Sequence, residues 1–150
     1  MSDQSDKKID EGLRGNEKLE EHIRMLRSEP SPEMLAVTLT TVRRRMKEGG
    51  QMIVAVDAGA AAGGRMQIQV MDTGDGERWL PAFTSFDEQF KGKTAVMSTF
   101  MADIGQLLRL ALEDQGVEGL LINPWDLALR LDKGLIRIIF GEEGEADDKV

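Results

Sequence analysis

Val117-Glu118-Gly119-Leu120-Leu121-Ile122-Asn123-Pro124-Trp125 reads as the central strand of a sheet that runs directly into a turn. The apolar run Leu120 to Ile122 is short and is bounded by Gly119 on one side and Asn123-Pro124 on the other, the pattern of a strand covered on both faces. Pro124 cannot donate to a ladder and biases Asn123 away from helix, so the strand ends there. A helical pattern precedes the segment and another apolar stretch follows it.

Upstream, Met101, Ile104, Leu108 and Ala111, flanked by Leu107 and Leu112, form the strongest helical stripe in the chain, with Gly116 in the C′ position. Thr94 to Ser98 reads as a brief strand before that helix. Strand, helix and the strand at Gly119 are therefore expected to form a right-handed crossover between parallel neighbours. Downstream, Leu127, Leu129 and Leu131 alternate with Ala128, Arg130 and Asp132 as a further strand. Leu135 to Phe140 is read as a closing helix capped by Asp132.

The first half opens with two helices. Asn16 reads as an N-cap, and Leu19, Ile23 and Leu26 fall on one helical face ending before Pro30. Ser31 then caps a second helix with Pro32 as its preset first residue, and Leu35, Leu39, Val42 and Met46 recur at helical spacing up to Gly49-Gly50. Gln51 to Asp57 and Arg65 to Met71 read as strands paired in a hairpin, joined by the Ala/Gly-rich loop 58–64. The turn Asp72-Thr73-Gly74-Asp75-Gly76 leads to a third strand, Glu77 to Phe83, in a meander. Phe86 and Phe90 mark a short helix capped by Thr84 or Ser85.

The whole is a single α+β domain, with two N-terminal helices and a mixed sheet of about five or six strands carrying helices on it. At 150 residues and 41% hydrophobic content the chain can bury a core without staples. Residues 1–15 are expected to be disordered, 16–140 to form the domain, and 141–150 to be an acidic disordered tail. Five carboxylates against one lysine put half of the net charge of −8 in that tail. The body is also negative, which argues against a nucleic-acid partner. No cysteine is present, so disulfides and thiolate sites are excluded, and a reducing cytoplasm is the expected setting. No apolar run approaches the roughly 20 residues that span a bilayer, so no membrane partner is expected.

Three motif look-alikes fail on context. Asp72-Thr73-Gly74 has the aspartic-protease triplet, but that chemistry needs a second aspartate and no second triplet exists. Gly92-Lys93-Thr94 resembles the end of a phosphate loop, yet the required earlier glycine is Asp87 and the segment runs from helix into strand. A single histidine, His22, cannot assemble a zinc site, and it reads as a surface side chain on a helix flank rather than a general base. The Arg43-Arg44-Arg45 cluster with Lys47 reads as the solvated, cation-favouring end of a helix.

Two strand ends remain. Trp79-Leu80-Pro81-Ala82-Phe83-Thr84-Ser85 closes one strand and Ile122-Asn123-Pro124-Trp125-Asp126 another, and strand ends of an open sheet are where sites are usually grafted. Trp79, Pro81, Phe83, Thr84, Asn123, Pro124 and Trp125 are the candidate interaction surface, on a shared rim. No catalytic, cofactor or metal residue is assigned.

These same segments resemble the SseB N-terminal-domain family. The resemblance rests on Leu80-Pro81-Ala82-Phe83-Thr84-Ser85, on Gly119-Leu120-Leu121-Ile122-Asn123-Pro124 and on the opening Asn16-Glu17-x-Leu19, covering roughly residues 16–140. The chain departs from the family pattern in the Ala/Gly-rich loop 58–64, in Trp125 after the Asn-Pro pair, and in lacking the separate C-terminal domain of longer members. The resemblance implies an intracellular bacterial α+β domain, named for a link to serine sensitivity, and brings no catalytic residues with it. The same name is attached to a type III secretion translocon component, and secretion is not carried over.

The leading expectation is a non-enzymatic interaction or regulatory module that binds a protein partner or a second copy of itself. The alternatives are an enzyme or small-ligand binder using Asp57, Asp72 or Asp126, and a secretion-linked structural component. No cofactor is expected.

Overall fold

The computed structural model describes residues 11–56, 68–92 and 98–141. In chain order the elements are α1 (Asn16–Ser28), α2 (Pro32–Lys47), β1 (Gln51–Val56), β2 (Met71–Asp72), β3 (Arg78–Ala82), α3 (Phe86–Phe90), β4 (Ser98–Asp103), α4 (Ile104–Glu113), β5 (Gly119–Ile122), β6 (Leu129–Asp132) and α5 (Lys133–Phe140). β5 holds the middle of a four-stranded sheet ordered β2-β3-β5-β6, parallel to β3 and antiparallel to β6. All four of its residues are buried, as a strand covered on both faces requires. β1 and β4 form a second, antiparallel pair. The two sheets meet where Ile53 and Phe83 exchange both backbone hydrogen bonds at 2.8 Å.

Strand alternation sorts the core into two faces. Met52 and Val54 from β1, Leu80 and Ala82 from β3, and Leu120 and Ile122 from β5 point to one side. There they pack with Leu19 and Ile23 of α1, Val42 of α2, Leu107 and Leu108 of α4, and Ile136 and Ile139 of α5. The intervening residues Ile53 and Phe83 point the other way and pack with Leu13. On that second face the register sets Pro81 beside Leu121 and Leu121 beside Arg130. The Arg130 guanidinium lies over the Trp79 ring, 5.4 Å from its centroid. Trp79 is thus an interior residue of the second face, 4% exposed, and not part of a strand-end rim.

Local signals account for most boundaries. The Ser31 hydroxyl accepts from Met34 N at 3.0 Å with Pro32 at the first helical position. Asp132 caps α5 through Leu135 N at 2.9 Å, and Ser85 caps α3 through Glu88 N at 3.2 Å. Ser31→Ala is expected to cost about 1 kcal/mol. A thermal melt followed by circular dichroism should show this as a fall of roughly 2–4 °C.

Several expectations are corrected. Asn16 is not a cap; Gly15, with φ 103°, precedes the helix and Asn16 is buried in its first turn. Residues 11–13 are helical and bury Leu13, so order begins inside the stretch expected to be disordered, while residues 1–10 and most of the acidic tail lie outside the described residues. Met101 belongs to β4 and not to the helical stripe, which starts at Ile104. β1 takes β4 as its ladder partner. The expected hairpin strand 65–71 contributes, among the described residues, a single bridge from Ile68 to Val56 before β2, so the simple meander gives way. The parallel neighbour of β5 is β3, reached through α3, β4 and α4, and not a strand adjoining α4. α4 ends at Asp114 in an extended conformation rather than at a C′ Gly116. The expected strand at 94–97 and the loop 58–64 lie outside the described residues.

Candidate functional site

The ends of β3 and β5 and the start of α1 are tied by buried polar side chains. Asn123, at φ 53°, turns its amide back along the sheet. Its Oδ1 accepts from Thr84 N and its Nδ2 donates to Thr84 Oγ1, each at 2.9 Å. The Thr84 hydroxyl in turn donates to Glu20 Oε2. Asn16 Nδ2 donates to Thr84 O at 3.0 Å and Gln51 O at 2.9 Å, while its Oδ1 accepts from Arg45 Nε at 2.9 Å. Arg45 completes its fork on Gly12 O and Glu48 Oε1. A buried polar group is tolerated only when its hydrogen bonds are made, and here they are.

This junction corrects the reading of the arginine cluster. Arg45 is buried, not solvated, and Arg43 reaches the last carbonyls of α5, donating to Ile138 O and Ile139 O at 2.7 Å. Arg44 and Lys47 are exposed in the last turn of α2, as expected, whereas Arg43 serves the C-terminus of another helix. His22 is half-buried between α1 and α2, with Nδ1 at 2.6 Å from Thr41 Oγ1. Thr41 Oγ1 also lies within hydrogen-bond distance of Val37 O, at 3.0 Å.

Beside the junction lies an apolar recess of about 130 Å³, whose walls include Ala55, Val70, Met71, Pro81, Phe83 and Trp125. Its origin is the way β3's outer edge changes partners. Trp79 pairs with Met71 of β2, and Phe83 pairs with Ile53 of β1. Pro81, between them, has no N–H to offer either strand. The chain entering β2 bonds to β1 through Gln69 N and Ala55 O at 3.0 Å, then crosses to β3, and the recess is left at the crossing. Trp125 is 37% exposed and stacks on Phe83 with ring centroids 6.2 Å apart. It can lie there because position 92 is glycine: a Cβ at Gly92 would come within 2.8 Å of Trp125 Cζ2. Lys91 clasps the same loop, bonding Asp126 at 2.9 Å and Glu88 at 2.7 Å.

Of the seven predicted residues, Pro81, Phe83 and Trp125 meet at the recess. Thr84 and Asn123 sit in the junction, and Trp79 is under Arg130. Pro124 lies in the turn that carries Trp125. A second, polar cleft of about 420 Å³ lies over Thr84, Ser85 and Phe86, edged by Arg14, Glu17 and Asp87. It was not foreseen. The signal for the junction was present, since Asn16 falls at i, i+3, i+7 with Leu19 and Ile23 on the buried stripe.

The SseB protein N-terminal domain model matches residues 19–137 of this chain. The chain belongs to that family. No curated protein and no solved structure matches it significantly. Within this SseB domain, the residues that carried the resemblance converge: Thr84 bonds both Asn16 and Asn123, and Pro81 and Phe83 line the adjoining recess.

Among the described residues, the candidate carboxylates are engaged separately. Asp72 accepts from Gly74 N within its turn, Asp126 is clasped by Lys91, and Asp57 lies outside the described residues. Where carboxyls are perturbed, they are held below the ordinary range: Asp126 by the Lys91 hydrogen bond, Asp75 by the Thr73 hydroxyl, and Glu17 by backbone N–H groups of the α1 start. A general acid at neutral pH needs the opposite shift. Among the described residues no cluster of three metal-ligating side chains occurs, and no helix is long and apolar enough to cross a membrane.

Proposed function

We propose that this SseB domain is a non-catalytic protein-binding module that receives one apolar side chain of a partner in the recess beneath Trp125. The recess itself carries the reading. Its 130 Å³ falls below the roughly 300 Å³ at which small-molecule pockets begin, yet equals about four water volumes, room for a single aliphatic side chain. A half-exposed tryptophan at the mouth of a largely apolar hollow is the usual form of an interface anchor. With no cysteine in the chain, the cytoplasm is the compartment taken for its action.

The test is an NMR titration with capped amino-acid amides. N-acetyl-leucine amide is expected to give saturable shifts at Ala55, Val70 and Met71, whereas N-acetyl-serine amide gives none. Trp125→Ala should weaken the leucine probe by about tenfold, an anchor's contribution of about 1.4 kcal/mol, while the loss of its stack on Phe83 lowers the melting temperature by only about 1–6 °C. Equal shifts from both probes, or none from either, would remove the proposal.

A further inference from the structure

Both hollows adjoin α3. This helix gives Gln89 to the recess and Phe86 and Asp87 to the polar cleft, and the consecutive residues Phe83 and Thr84 are likewise divided between them. At five residues α3 is about 7.5 Å long, so one short segment can reach across it. The two hollows differ in charge. Beside the recess, Asp126 is offset by Lys91 and by the nearby Arg24 and Arg27. The residues lining the cleft are Glu17, Glu20 and Asp87 against Arg14, an excess of two negative charges around a floor that includes Phe86; Arg45, behind Glu17, is already paired with Glu48. Glu20 is fixed there by its bond from Thr84. Between the hollows Glu88 is 8% exposed, and its Oε1 has no hydrogen-bond partner among the described residues.

We infer that the docking segment is basic as well as apolar: an aliphatic side chain enters the recess while a lysine or arginine a few residues away enters the acidic cleft, over Phe86. This rests on the binding reading above and names the partner's chemistry. Charge complementarity at the cleft selects the partner and aligns it, and the recess anchors it. The carboxylates face a cation that can also lie against an aromatic ring. An extended segment advances about 3.3 Å per residue, so two to four residues separate the anchors.

The experiment is fluorescence anisotropy on the full chain with a labelled Gly/Ser peptide bearing one leucine and, about three residues on, one lysine. Versions carry serine for the leucine, serine for the lysine, or glutamate for the lysine. The leucine–lysine peptide is expected to bind most tightly. The glutamate version should be weaker by about tenfold, in a gap that narrows as salt is raised. Glu17→Gln with Asp87→Asn should bring the lysine and serine versions to within about threefold, with a thermal melt lowered by only a few degrees, since both carboxylates also sit in the first turn of a helix. If the lysine, serine and glutamate versions bind alike while the leucine remains essential, the basic anchor is overturned and the recess stands. If replacing the leucine changes nothing, or no peptide binds, both readings fall.

Discussion

Gly119→Ala is expected to break the β5–β6 ladder. A Cβ at this position would lie 2.8 Å from Asp132 Cα and 2.9 Å from the Leu131 carbonyl carbon, with the Leu131 oxygen closer still. These are backbone atoms, which cannot swing aside as a side chain can, so β6 must part from β5 or β5 must shift within the sheet. Either movement disturbs Leu120, Ile122 and Leu131, which are at the centre of the main core. Overpacking of ordinary side chains costs about 1–3 kcal/mol, and a clash against fixed backbone belongs at or above the top of that range. Against a total stability of about 5–15 kcal/mol this is a large fraction. Urea unfolding should show the midpoint falling sharply, and a variant that melts with the parent would mean that the two strands are not so closely apposed.

Asn123→Ala should be nearly as damaging, for a different reason. The substitution leaves the buried Thr84 N–H and hydroxyl without Asn123, and it forces an alanine into left-handed backbone at φ 53°. Leaving a buried donor bare costs about 1–3 kcal/mol, and alanine, without the short polar side chain that lets asparagine tolerate left-handed backbone, pays up to about 1–2 kcal/mol more. The combined loss of about 1–5 kcal/mol should lower the melting temperature by roughly 2–20 °C for a domain of this size. Asn123→Gly separates the two causes. Glycine accepts the backbone angle but not the hydrogen bonds, so it should recover only the conformational part. Full recovery by glycine would show that the amide contributes nothing.

How much of this was legible in the sequence depends on where each residue's partner lies. β5 was readable because its signals are contiguous: an apolar run, a glycine before it and Asn-Pro after it. Ser31-Pro32, Asp132 and the 72–76 turn were readable because a cap or turn is satisfied within three or four residues. β4 was hidden because Met101 continues, by coincidence, the helical spacing of Ile104 and Leu108. Arg45 looked like one of three solvated arginines, since its partners Asn16 and Gly12 are about thirty residues away. Trp79 looked like a rim residue because it precedes a proline. Arg130, which lies over its ring, comes from β6, a neighbour that local pattern cannot supply.

The candidate site was legible in the same uneven way. Pro81, Phe83 and Trp125 stand beside contiguous strand-ending signals, but the recess depends on β3 exchanging one neighbour for another on either side of Pro81, a consequence of topology. The acidic cleft draws on α1, on the end of β3 and on α3, three regions that only the fold brings together. Thr84 and Asn123 were taken for surface, whereas each is 1% exposed and faces the other. Asn16, Thr84 and Asn123 therefore hold the strand ends in place beneath the two hollows.

Amide hydrogen exchange at Thr84 puts that claim to the most direct test. With its N–H buried on Asn123 Oδ1, Thr84 should exchange only through global unfolding, as slowly as the amides of Leu120 to Ile122. Exchange as fast as in the exposed turn at Thr73 to Gly76 would show that the β3 and β5 ends open freely, and that Asn123 and Thr84 do not lock them.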